Sequence, residues 1–257
     1  MIQRMLASAL FAGCAAGLLA ALLHFAFIQP LLLQGEQYES GELVHYQGVA
    51  TSEAGAHSHD HAALPEAQPE AGHDHAAHEH SHEDGGEVST LQRNGLTVLF
   101  TGTTYIAYAL LMVAGFGLAE HFGHRVGPAQ GILWGLAGFV ALQLAPAMGL
   151  APELPGTPAA DLTDRQIWWL GTVLASLLAA ALLGFGKGPL TWVVAALLLA
   201  LPHVIGAPHL ESYAGVAPPE LAGEFSARAL GVALMAWLTL GALASRLWNA
   251  RALQALG

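Results

Sequence analysis

From residue 5 to residue 33 the chain carries no charged side chain. No other stretch restricts the fold as much. In hydrocarbon every backbone N–H and C=O must find a partner within its own segment, and about 20 apolar residues in a helix cross a bilayer. The run is therefore read as a spanning helix, too long for the apolar core of a cleaved signal. Five more apolar segments follow, at roughly 94–119, 129–150, 166–185, 190–205 and 225–244. Charged residues make up 11% of the chain, against about 25% in a soluble domain. The fold expected is an all-α integral membrane protein of about six transmembrane helices, or five if the short segment 190–205 fails to cross. Three regions follow from this: a first transmembrane helix over 1–33, a polar loop over 34–93 and a helical bundle over 94–257.

Small residues indicate where the helices meet. Gly13 and Gly17 in the first span, and Gly131 and Gly135 in the third, are spaced to let another helix approach closely. Gly184, Gly186, Gly188 and Pro189 predict a tight turn between the fourth and fifth spans. Trp168 and Trp169 read as an interfacial anchor at the start of the fourth.

The polar loop holds the chemistry. Residues 34–93 contain twelve acids and one base, Arg93, which together give −11, the whole formal charge of the chain. Eight of the fourteen histidines fall between residues 57 and 82: His57, His59, His61, His73, His75, His78, His80 and His82. Asp60, Glu66, Glu70, Asp74 and Glu79 are interleaved with them. Neutral imidazole and carboxylate are ligands for divalent metals such as cobalt, nickel and zinc, and His-rich tracts of this kind bind metal with little fixed geometry. The stretch has no apolar periodicity and is expected to be disordered without metal. Its acidity suits a cation-collecting surface and excludes a nucleic-acid partner. With six spans and the N-terminus inside, Arg4, Arg125, Lys187, Arg246 and Arg251 are cytoplasmic, and every acid except Glu120 is extracytoplasmic. The His-rich loop then faces outward.

Other motifs carry less. His78-Glu79-His80-Ser81-His82 matches HExxH formally, but that motif needs a stable helix to set both histidines beside the glutamate. A metallohydrolase would require turnover dependent on Glu79, which is not expected. No phosphate-binding GxxxxGK[ST] loop is present. Cys14 lies inside the first span, so lipidation at that cysteine is not expected, and a single cysteine forms no disulfide. His24 lies within the first span, where ionisable groups face a protein interior or a water path. His203 and His209 each follow a proline and bracket Gly206. The segment is either a broken helix lining an ion site or an ordinary helix exit.

The stretch Leu144-Ala-Pro-Ala-Met-Gly-Leu-Ala-Pro-Glu-Leu-Pro-Gly156, its continuation to Arg165-Gln-Ile-Trp-Trp169, and Ala200-Leu-Pro-His-Val-Ile-Gly-Ala-Pro-His209 together resemble the CbtA-type cobalt transporter subunits. The opening span followed by Gln29-Pro-Leu-Leu-Leu-Gln-Gly-Glu-Gln-Tyr-Glu39 is similar too. The resemblance implies cobalt uptake linked to cobalamin synthesis, a small single-span B subunit as partner, and about five spans where the residues give six. The expected function is that of a multi-pass subunit of a bacterial inner membrane that takes up a divalent metal as substrate, cobalt first, nickel or zinc next. The eight loop histidines would capture the metal, and His24, Glu36, His203 and His209 would form a membrane-proximal site. The rival reading is a membrane-bound sensor or storage protein that binds metal without moving it.

Overall fold

The computed structural model describes residues 2–45, 89–212 and 214–250 of the 257-residue chain. Among these residues the regular structure is entirely helical. Six helices make the bundle: α1 (Ile2–Glu39), α2 (Thr90–His121), α3 (Pro128–Ala147), α4 (Leu162–Phe185), α5 (Pro189–Ile205) and α6 (Pro219–Trp248). All but α5 are long and apolar enough to cross a membrane.

α5 crosses the bundle nonetheless. α4 ends at Phe185, whose ring lies 4.8 Å from that of His124, just beyond the end of α2. α6 begins at the opposite end, where the Ser226 hydroxyl donates to the Pro152 carbonyl at 2.6 Å. The chain must return between the two, and the Trp168 indole at the start of α4 donates to the Pro202 carbonyl of α5 at 3.1 Å. At 1.5 Å per residue the 17 residues of α5 span about 25 Å, close to the hydrocarbon thickness. The fifth segment therefore completes six crossings, and both described termini lie at one end. That end is named here by Arg4 and the other by Glu36.

Glycines fix the helix contacts. A Cβ on Gly13 would lie 2.6 Å from the Ile106 Cα, and one on Gly17 would lie 2.8 Å from the Gly102 Cα. α1 and α2 thus cross backbone against backbone, lined by the buried Ala9, Ala12, Ala16 and Ala20. Gly131 and Gly135 of α3 receive the α6 backbone at Gly241 and Trp237 in the same way. In lipid no hydrophobic force separates helix from solvent, so contacts this close supply the packing energy. Both small-residue faces read in the sequence are helix contacts. Around them Phe116, Trp237, Leu240 and Trp248 form the core of α1, α2, α3 and α6. The α4–α5 hairpin packs mainly on itself and leans on the second half of α3.

Two π-helical turns interrupt the bundle, His24–Ile28 in α1 and Val140–Leu144 in α3. Each lies two residues before a proline, Pro30 or Pro146. A proline supplies no N–H and its ring crowds the carbonyl four residues back. The wider turn relieves that clash, with Gln29 N–H bonded to His24 O and Ala145 N–H to Val140 O.

Some element ends differ from the sequence reading. α1 continues past residue 33 to Glu39, and α2 starts at Thr90, capped by the Ser89 side chain, which accepts from Gln92 N–H at 3.2 Å. The flanks of the polar segment are therefore helical. The exit of α5 is ordinary: Gly206 takes φ +88°, and its N–H closes the last turn on the Pro202 carbonyl at 3.0 Å. Pro202 sits inside the helix without breaking it.

Candidate functional site at the Glu36 end

The ends of α1 and α2 that flank the His-rich segment are joined to each other. The Gln29 amide donates to Asn94 Oδ1 at 3.2 Å, and Arg93 pairs with Glu36 at 3.6 Å. Over this joint folds the connection between α3 and α4. Leu154 is buried among Ile28, Leu31, Leu221 and Phe225, and a Cβ on Gly35 would lie 3.0 Å from Leu154 Cδ2. Glu153 and Arg165 pair at 3.1 Å across the outside of this cap. Arg228 pairs with Glu224 and donates to the Phe27 carbonyl at 3.3 Å, within the first π turn.

The charges divide sharply between the two ends. The Glu36 end holds nine described carboxylates, Glu36, Glu39, Glu42, Glu153, Asp161, Asp164, Glu211, Glu220 and Glu224, against Arg93, Arg165 and Arg228. Each of those arginines is in an ion pair. The opposite end holds Arg4, Arg125, Lys187 and Arg246 against Glu120. Glu120, the acid that broke the sequence pattern, has a structural reason. It accepts from the Trp248 indole at 2.7 Å and lies 3.5 Å from Arg4, whose guanidinium stacks over Trp248 at 3.6 Å. Arg4 Nε also donates to the Trp248 carbonyl at 2.9 Å. This latch ties α1, α2 and α6 together at that end. Glu120 as a lone acid among bases was the signal available in the sequence, and its partners were not visible there.

The sequence-derived site residues are dispersed. His57, His59, His61, His73, His75, His78, His80 and His82 lie outside the described residues, so the expected disorder of that tract does too. His24 is half-buried in the first π turn, edge-on to Phe25 at 5.8 Å. Glu36 is held by Arg93. His203 is half-buried in the last turn of α5, edge-on to Trp168 at 6.0 Å. His209 is exposed beyond that helix, its Nδ1 3.0 Å from the Leu210 carbonyl. A groove of about 510 Å³ runs between α4 and α5, lined by Trp168, Gly171, Pro202 and Gly206 among others, and neither histidine lines it. Among the described residues no three His, Cys, Asp or Glu side chains converge as a metal-binding group. Trp168, read as an interfacial anchor, also pins α5 to α4.

Six crossing helices with apolar outer faces, positive at one end and acidic at the other, define a multi-pass helical membrane protein. Residues 2–249 match the family model described as probable cobalt transporter subunit (CbtA). The chain belongs to that family. No curated protein and no solved structure matches it.

Proposed function

We propose that the chain takes up a divalent cation, cobalt first, across a bacterial inner membrane, with the Glu36 end outside and both described termini in the cytoplasm. The observation that carries this reading is the place of the His-rich segment in a cobalt-transporter family member. It is strung between two helix ends, α1 and α2, that are themselves clasped at the acidic mouth of the bundle. A tract of redundant imidazole and carboxylate ligands there raises the local metal concentration without building a fixed path. The charge division supports the orientation, since cytoplasmic flanks of membrane helices carry the excess of Lys and Arg. The small single-span B subunit remains part of this proposal, and no catalytic step is assigned.

Uptake of labelled cobalt, nickel and zinc, in cells lacking their own importers and with or without the chain, tests the function. Accumulation that depends on the chain and favours cobalt supports it. Metal bound to membranes with no flux into sealed vesicles would leave the storage or sensor reading instead. Deleting residues 57–82 should raise the half-saturating metal concentration and leave the maximal rate unchanged.

A further inference from the structure

Charged side chains are confined to the two ends of the bundle. In α1 none lies between Arg4 and Glu36, in α2 none between Arg93 and Glu120, in α6 none between Arg228 and Arg246, and α3 has none. Inside that uncharged band, polar and aromatic side chains come together where α2, α3 and α6 meet. The Gln143 amide donates to the Tyr108 hydroxyl at 3.4 Å, the Tyr105 ring meets Tyr108 edge-on at 5.7 Å, and Trp237 packs on Tyr108 at 4.8 Å. Tyr108 lies 13 residues before the end of α2, and Gln143 lies 15 after the start of α3. At 1.5 Å per residue both sit about 20 Å from the Arg4 end.

Two features mark this seam as more than packing. Gln143 belongs to the Val140–Leu144 π turn ahead of Pro146, which supplies no N–H to the carbonyls of that turn. Trp237, 2% exposed, has an indole N–H with no hydrogen-bond partner among the described residues. A buried donor at this depth calls for a water or another acceptor. π turns also recur at functional sites. The equivalent turn in α1 has its Phe27 carbonyl met by Arg228.

We propose that Tyr105, Tyr108 and Gln143, with the carbonyls of the α3 π turn, form a hydrated, uncharged station through which the metal ion crosses the middle of the bundle. The proposal rests on the transport reading. Oxygen ligands without charge suit a passing cation, because a site on a path must bind weakly enough to release.

The test places cysteines in the full-length chain with Cys14→Ser. Gln143→Cys and Tyr108→Cys report on the station, Leu133→Cys on the outer face of α3, and Met148→Cys on the exposed end of α3. A small hydrophilic thiol reagent is applied to membranes, with and without cobalt. Thiols react as thiolates in water, so the two station cysteines should label roughly tenfold faster than Leu133→Cys, and cobalt should slow them and not Met148→Cys. If both station cysteines stay unreactive while Met148→Cys labels, the station is dry and the proposal falls. If they label and cobalt gives no protection, the seam holds water but is not on the metal's path. Because labelling does not depend on flux, absence of uptake in cells would sink the transport reading separately.

Discussion

Substitution of Gly13 by alanine tests the α1–α2 crossing directly. The added Cβ would stand 2.6 Å from the Ile106 Cα, a backbone atom with no rotamer to retreat into. Carbon atoms pack at about 3.5–4.0 Å, so the helices must part by roughly 1 Å, and a gap of that size forfeits a quarter to a half of each dispersion contact it opens. Ala9, Ala12, Ala16 and Ala20 all lie on the same buried face, so the loss runs along the seam. Overpacking of this kind costs about 1–3 kcal/mol. Gly223→Ala in α6 is the matched control, because its Cβ would meet nothing within 4 Å and alanine gains up to about 1 kcal/mol of helix propensity over glycine. Unfolding of the purified full-length chain in mixed micelles, followed by helical circular dichroism, gives both values. Gly13→Ala should be destabilised and Gly223→Ala neutral or slightly stabilised. If the two variants agree within about 0.5 kcal/mol, the spread expected for independent surface changes, α1 and α2 do not cross where the structure puts them.

At the opposite end, Glu120→Ala leaves the buried Trp248 N–H without its acceptor and should cost about 1–3 kcal/mol, while Glu120→Gln keeps an acceptor and should lose less in the same assay. In a chain lacking Cys14, Gly72→Cys should react with an impermeant thiol reagent from outside intact spheroplasts and Gly127→Cys should not; the reverse pattern inverts the orientation. A peptide of residues 57–82 should bind cobalt in calorimetry at pH 7.5 and lose it at pH 5, because imidazole titrates near about 6.5 and its protonated form cannot ligate. Equal affinity at both pH values would exclude histidine ligation. His203→Ala should leave the helix exit intact and, if His203 is on the path, lower the maximal uptake rate at matched expression; normal uptake across the metal range would remove it from the path.

The five long crossings were legible because lipid leaves an uncharged run few alternatives, and Gly13, Gly17, Gly131 and Gly135 were legible because small residues at i and i+4 have few other uses in a span. The crossing of α5 was not, since 17 residues sit at the lower limit of a span. It is decided by where α4 ends and α6 begins, which is tertiary information. Pro30 and Pro146 were visible as letters, but whether a proline kinks, ends or widens a helix depends on its neighbours, and here both widen it to a π turn. Pro202 shows the converse. Read beside Gly206 it left a broken helix and an ordinary exit both open; it sits in a last turn where its own carbonyl accepts from both the Gly206 N–H and the Trp168 indole. Leu154, an apolar residue in a Pro-rich connection, gave no periodic signal, although it anchors the cap at the Glu36 end. Polar partners such as Gln143 and Tyr108, 35 residues apart, come together only through the packing of α3 on α6 and α2.

The charge layout also limits what can drive the proposed uptake. The Glu36 end carries nine acids against three bases among the described residues, a net of −6, and the Arg4 end four bases against one acid, a net of +3. Such a field draws a divalent cation to the mouth and speeds its arrival. It opposes exit at the other end by the same electrostatic logic, and a fixed field does no net work on an ion that passes from one bulk solution to the other. The uncharged band between the ends adds a barrier, which hydration and neutral oxygen ligands lower without changing the balance. Free energy for accumulation must therefore come from outside the fixed charges. The chain has no phosphate-binding loop of its own. An inside-negative membrane potential supplies about 2.3 kcal/mol per elementary charge for each 100 mV, hence about 4.6 kcal/mol for a divalent ion. In the proposed orientation, with the Glu36 end outside, that force acts inward along the axis of the bundle, and at 100 mV it is enough to sustain an accumulation of roughly a thousandfold.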